Sequence, residues 1–281
     1  MQIYQVDAFA DAVFHGNPAA VIPLTEWLPD QLLQNIAMEN NLAETAYIVP
    51  LGRSQDIAQG REYEIRWFTP TVEVALCGHA TLASGLVVFD YLGFQGDTIV
   101  FHSRKSGILK VSRQAAAGED RADHGVAASP KLTLDFPANN PAPVAPLPLI
   151  FEALHIPPAP LFRGAHDYMV VLDNQQQIEA LQPDMKGVAG ADSRGIVVTA
   201  PGDEVDFVSR CFFPQSGIDE DPVTGSAYTM MTPYWARRLG KNSLSAIQLS
   251  RRRGHLDCVL AGDRVFISGH AKIFLRGEVL I

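Results

Sequence analysis

The chain has 281 residues, 47% of them hydrophobic and 19% charged. That length allows about two domains, and the composition supplies a large core and excludes a disordered chain. A formal net charge of −9 argues against nucleic acid or an anionic membrane surface as the main partner. The one basic run, Arg251-Arg252-Arg253, reads as a solvated strand or turn. Cys77, Cys211 and Cys258 are scattered and lack C-x-x-C spacing, so no disulfide framework and no metal site is expected. The opening MQIYQVDAFADAVF lacks the basic start and long apolar run of a signal peptide, which gives a cytoplasmic expectation.

In chain order, Gln2–Asp7 alternates as a strand and Gly16-Asn17-Pro18 is a turn signal. Ala19–Pro23 reads as a buried strand. Leu28-Pro29-Asp30 opens a helix through Met38, with Leu32, Leu33, Ile36 and Ala37 at helical spacing. A strand from Asn41 to Val49 carries one charge, Glu44. Tyr63, Ile65 and Trp67 alternate in the next strand, which Pro70 stops. Gly78-His79 then opens a helix to about Tyr91 that has almost no polar face. It is too short to span a bilayer and is therefore a core helix.

Two short strands, near Asp97–His102 and Gly107–Arg113, precede a linker over residues 115–128. Beyond it come a strand at Lys131–Phe136, a short helix near Leu149–Leu154 and a strand at Tyr168–Leu172. Ile178–Leu181 reads as helical, and Arg194–Ala200 and Asp206–Phe213 as strands. A second apolar helix spans Gly225–Leu239, and the tail is three strands near Ala246–Arg251, Leu256–Leu260 and Arg264–Ile273.

The order of elements repeats. Arg66-Trp67-Phe68-Thr69-Pro70 returns as Arg210-Cys211-Phe212-Phe213-Pro214, and Gly78-His79-Ala80 as Gly225-Ser226-Ala227, each time opening the apolar helix. A duplicated domain is expected, with two helix N-termini meeting across a cleft, a favourable place for an anionic ligand.

Four residues carry the chemical reading. Glu44 stands in an apolar strand, where lost hydration raises a carboxyl pKa and suits it to proton transfer near neutral pH; a solvent-facing strand-end Glu is the bland alternative. His79 begins a helix, where the dipole favours neutral imidazole; a capping or core histidine is the alternative. Asp221, in Asp219-Glu220-Asp221-Pro222, is either a cleft carboxylate or a complement to the helix dipole. Ser226 is either a ligand donor or, with Thr224, a helix cap. Cys77 reads as a small core residue, since residues two apart at a helix start rarely face each other.

Together GNPAAVI (16–22), LAETAYI (42–48), RWFTPTVEVALCGHAT (66–81), DEDPVTGSA (219–227) and SGHAKIFLRGEV (268–279) closely resemble the phenazine-biosynthesis PhzF-like isomerase family. The resemblance implies a diaminopimelate-epimerase-like α+β fold. Two pseudo-symmetric domains, 1–116 plus about 266–281 and 127–265, would each wrap mixed strands around a central apolar helix. It implies Glu44 as catalytic acid/base with His79 and Asp221 beside it, and Asn17, Gly78, Gly225 and Ser226 as substrate-binding residues. The activity implied is a cofactor-independent proton-transfer isomerase acting on a small amino- or carboxylate-bearing molecule, homodimeric as is common in the family. The departures from the pattern leave two rivals: a cysteine-assisted epimerase using Cys77 with Glu44 or Asp221, which lacks a second thiol, and a non-catalytic binding protein on the same fold.

Overall fold

Proline and glycine punctuation sets the elements of the computed structural model, which describes residues 1–52, 62–114 and 131–281. The chain divides into two units, Met1–Asp135 with Ser268–Ile281, and Phe136–Ile267. The expected linker, 115–128, lies outside the described residues.

In the first unit β1 (Gln2–Ala8) runs antiparallel to β2 (Asn17–Pro23). Helix α1 (Asp30–Asn40) carries the chain over to β3 (Glu44–Pro50), which lies parallel to β2. β4 (Glu62–Phe68) is antiparallel to β3, and the two-residue β5 (Glu73–Val74) folds back on its end. Helix α2 (Gly78–Leu86) follows, then β6 (Thr98–Ser103) parallel to β4, β7 (Gly107–Arg113) antiparallel to β6, and β8 (Leu132–Pro137) antiparallel to β7.

All nine residues of α2 are buried. Its two hydroxyls tolerate this because each donates to a carbonyl one turn back: Thr81 Oγ1 to Cys77 at 2.6 Å and Ser84 Oγ to Ala80 at 2.7 Å. The last turn, Val87–Tyr91, widens, with Leu92 N–H reaching the Val87 carbonyl at 2.9 Å. Gly85 lets α2 lie on β7, since a Cβ there would fall 2.6 Å from Val111 Cγ1.

The second unit repeats the pairing. After β9 (Ala142–Pro143) and α3 (Pro148–Leu154), β10 (Leu161–Arg163) is antiparallel to β11 (Asp167–Val171). Helices α4 (Gln175–Glu179) and α5 (Met185–Ala189) lead to β12 (Gly195–Pro201), parallel to β11, and β13 (Phe207–Phe212) is antiparallel to β12. Helix α6 (Gly225–Leu239) then precedes β14 (Ser243–Gln248), parallel to β13, and β15 (Gly254–Ala261), antiparallel to β14. So β1–β4 with β6 and β7 correspond to β10–β15, and α2 to α6.

One device recurs in both copies. Arg66 forks onto Glu73, with Nε–Oε1 at 2.8 Å and Nη2–Oε2 at 2.9 Å, and lies over Phe68. Arg210 forks onto Glu220, at 2.7 and 3.0 Å, and lies over Phe212. Each clamp ties the R-x-F strand to the loop that leads into the central helix, which is why the motif is duplicated.

The expected last strand is two: β16 (Arg264–Gly269) and β17 (Ala271–Glu278). β17 returns to the first unit and pairs with β1 from Gln2↔Glu278 to Ala8↔Ala271, with an irregularity between Gln5 and Val6. The basic run sits between β14 and β15, with Arg251 and Arg253 exposed. Among the described residues, no helix is long and apolar enough to cross a membrane.

Candidate functional site

Each unit gathers polar side chains where two parallel strands begin and the central helix starts. In the first unit the register pairs Ala19 with Glu44. Asn17, the first residue of β2, and Glu44, the first of β3, therefore share one end of the strands, and His79 on α2 meets both. Glu44 Oε2 lies 3.1 Å from His79 Nε2, and Asn17 Nδ2 lies 3.1 Å from His79 Nδ1. Asn17 and His79 are buried, and Glu44 is 9% exposed. Glu44 Oε2 has no hydrogen-bond partner despite that proximity, so the contact is electrostatic and off the N–H axis.

His79 differs from expectation. Burial works against the imidazolium, but the Cys77 sulfur and the Glu44 carboxylate beside the ring outweigh it and hold the pKa well above the usual value. At neutral pH, where Cys77 is a thiol, the carboxylate is the part of this pull that remains. With Asn17 Nδ2 donating, Nδ1 accepts and the ring proton sits on Nε2, on the Glu44 side of the ring but off the line to Oε2. Protonating both nitrogens needs the Asn17 amide turned so that its oxygen accepts.

Cys77 also departs from expectation. Its backbone is extended (φ −141°, ψ 110°) rather than helical, so the i, i+2 separation argument does not apply. Its Sγ lies 3.5 Å from His79 Nδ1. Burial pushes the thiol up to about 11, so it is protonated and a weak nucleophile at neutral pH. Glu44, Cys77 and His79 each offer a ligand atom within 4.8 Å of the others; a divalent ion there would have to displace the thiol proton.

The second unit places its groups at the matching positions. The register pairs Asp167 with Gly195, so the strand starts carry Asp167 and, one residue before β12, Arg194. The Arg194 guanidinium grips the buried Asp167 carboxylate through Nε and Nη2, and Nη2 also donates to Ser226 Oγ at 3.0 Å. Asp221 Oδ2 accepts from Thr224 Oγ1 at 2.7 Å. Buried Gln248 straps this loop, accepting from Thr224 N–H at 2.9 Å and donating to the Asp221 carbonyl at 2.7 Å. Gly78 and Gly225 open α2 and α6, and both are buried.

The structure thus brings Asn17, Glu44, Gly78 and His79 together in one unit and Asp221, Gly225 and Ser226 in the other. Sequence reasoning passed over Asp167, Arg194 and Gln248. A charge at the edge of an apolar strand was the available signal for Arg194, as it was for Glu44. A separate cavity in the second unit, lined by Leu154, Ile156, Pro158, Leu172 and Gln177, shares no residue with either cluster. There Gln177 Oε1 is already spent on the Asp173 N–H.

Residues 6–277 match a family model described as phenazine biosynthesis-like protein. An uncharacterized isomerase of Pseudomonas aeruginosa is 47% identical, over 99% of this chain and 98% of its own. A phenazine biosynthesis protein of the PhzF family from Enterococcus faecalis superposes with a TM-score of 0.88 at 42% identity, covering 100% of this chain and 99% of that one. A hydroxyproline epimerase from Agrobacterium vitis, solved with trans-4-hydroxy-L-proline, superposes with a TM-score of 0.59 at 11% identity, covering 99% of this chain and 91% of that one. That last likeness shows the fold alone, the diaminopimelate-epimerase-like α+β architecture with two pseudo-symmetric halves.

Proposed function

Because the chain belongs to the phenazine biosynthesis-like (PhzC/PhzF) family, in which the relative from Pseudomonas is named an isomerase, we propose that it is a cofactor-independent isomerase that moves a proton on a small amino- or carboxylate-bearing metabolite, with Glu44 as the acid/base. The observation that carries this reading is Glu44 Oε2, buried, without a hydrogen bond, and 3.1 Å from His79 Nε2. A carboxylate so placed takes a proton from a C–H next to an activating group and returns it elsewhere on the same molecule. His79 stays against the carboxylate, steadies its charge and keeps it aimed; Asn17 fixes the ring through Nδ1. Asp221, Gly225 and Ser226 bind substrate polar groups in this reading, and Gly78 and Gly225 give backbone approach. A homodimer in the cytoplasm completes it, and sedimentation of the purified protein checks the first of these.

The test is solvent deuterium uptake by NMR in D₂O, with dihydro-hydroxyanthranilate and a panel of amino and hydroxy acids. Exchange into one compound is expected, reduced by roughly 10²–10⁴ in Glu44→Gln, the range that general acid–base groups contribute. Full exchange in that variant would sink the assignment. A thiol mechanism has one observation in its favour, the 3.5 Å contact of Cys77 with His79. Against it stands a thiol pKa of about 11. Cys77→Ala is therefore expected to keep exchange within a few-fold of wild type, and loss of exchange there would move the base to the sulfur.

A further inference from the structure

One residue before the position that corresponds to Glu44, the second unit holds a cation. Glu44 is the first residue of β3; Arg194 immediately precedes β12, the corresponding strand, and each sits by the start of its unit's central helix. Arg194 is not a plain surface charge. Its fork is locked by Asp167, which is 2% exposed, while the arginine side chain itself keeps 40% of its surface accessible. The guanidinium also lies over the Phe213 ring at 5.3 Å.

The hydrogen-bond inventory points outward. Nε and Nη2 are spent on Asp167 and Ser226, whereas no described residue accepts from Nη1. Arginine only donates, so Ser226 Oγ is an acceptor in this contact and its own proton is free to donate elsewhere. Ser226 is the second residue of the 15-residue α6, whose free N–H groups favour negative charge. Two Nη1 protons, one serine proton and a helix start form a donor-rich set matched to a carboxylate, in which the one acceptor is the remaining lone pair of Ser226 Oγ.

We propose that Arg194, held by Asp167, is the positioning and specificity residue that makes the α6 end select a carboxylate-bearing ligand. Acting through Ser226 Oγ, it aims the serine proton and adds its own charge. The proposal rests on the reading of a small acid as substrate, and its test separates the two.

Anthranilate and its uncharged isostere anthranilamide would be titrated calorimetrically into the full-length protein. Wild type is expected to prefer the carboxylate at least tenfold. Arg194→Met should lose that preference by weakening anthranilate tenfold or more while leaving anthranilamide within twofold. Arg194→Lys, which keeps the charge but not the fork, should recover part of it. Arg194→Met leaves Asp167 buried without its partner, so the double variant Asp167→Asn/Arg194→Met, free of that orphaned charge, must show the same selective loss. Equal weakening of both ligands, or no discrimination by wild type, overturns the proposal. Glu44→Gln is the independent control. A variant that retains the carboxylate preference and also retains full deuterium exchange would remove Glu44 from proton transfer and leave Arg194 standing.

Discussion

His79 is where sequence reasoning and geometry part most usefully. A helix start and burial both favour neutral imidazole, yet the Cys77 sulfur and the Glu44 carboxylate, 3.1 Å away, together reverse the sign. The folded pKa lies above the unfolded value, so the imidazolium contributes stability that is fully present below about 6.5. That contribution fades as pH rises through the folded midpoint. Two outcomes are expected. The His79 Cε1 proton should titrate by NMR with a midpoint above 6.5 that falls in Glu44→Gln; a wild-type midpoint at or below 6.5 would show that burial wins instead. The gap in unfolding free energy between wild type and His79→Gln should also narrow from near-neutral to alkaline pH. The contacts around this ring were only half legible. Glu44 and His79 stood out as isolated polar residues in apolar elements, but Asn17 and His79 are 62 residues apart in sequence. The parallel register of β2 with β3 sets Asn17 by Glu44, and only the start of α2 brings His79 to both. The Arg194–Asp167 grip was hidden for the same reason, its members lying 27 residues apart.

At the scale of elements, the strands that end on proline and the helices that open on glycine were readable because the punctuation is local. Helix α6 matched its expected bounds, Gly225–Leu239, in spite of Pro233. What escaped was short: β5 and β9 have two residues each and α5 five, too few for any period to show. The two arginine clamps explain the duplicated motif and can be tested as a pair. Arg66 is 2% exposed and Glu73 partly buried, so Arg66→Met removes one partner of a buried pair. It should cost about 3 kcal/mol by urea unfolding, in line with broken buried pairs. Arg210→Lys keeps charge but loses the fork, and should cost less. A Met variant indistinguishable from wild type would deny the clamp a structural role. Gly85→Ala tests the crossing of α2 on β7. Helix propensity alone favours alanine by about 1 kcal/mol, yet the new methyl meets a fully buried Val111 at 2.6 Å. Net destabilisation is expected, relieved by Val111→Ala; a stabilised Gly85→Ala would show that the helix simply shifts.

For the molecule as a whole, the order of the chain differs from the order of its units, because β17 completes a sheet that β1 began. Deleting Ala271–Ile281 strips β1 of its neighbour along its whole length and leaves unpaired N–H and C=O groups on a strand whose core side is apolar. Association on size-exclusion chromatography and a lost or lowered melting transition are expected. A monomeric truncation with an unchanged melt would mean that the first unit stands without the strand.

That pairing also sets a schedule. On the ribosome β1 emerges well before β17, with the whole second unit, Phe136–Ile267, made in between. At typical elongation rates that interval alone is roughly seven to twenty-six seconds. For that time the nascent first unit carries an open edge beside buried-type residues such as Tyr4 and Val6. A waiting edge of this kind recruits whatever strand arrives first, which makes the nascent chain, more than the finished protein, the state that needs a chaperone.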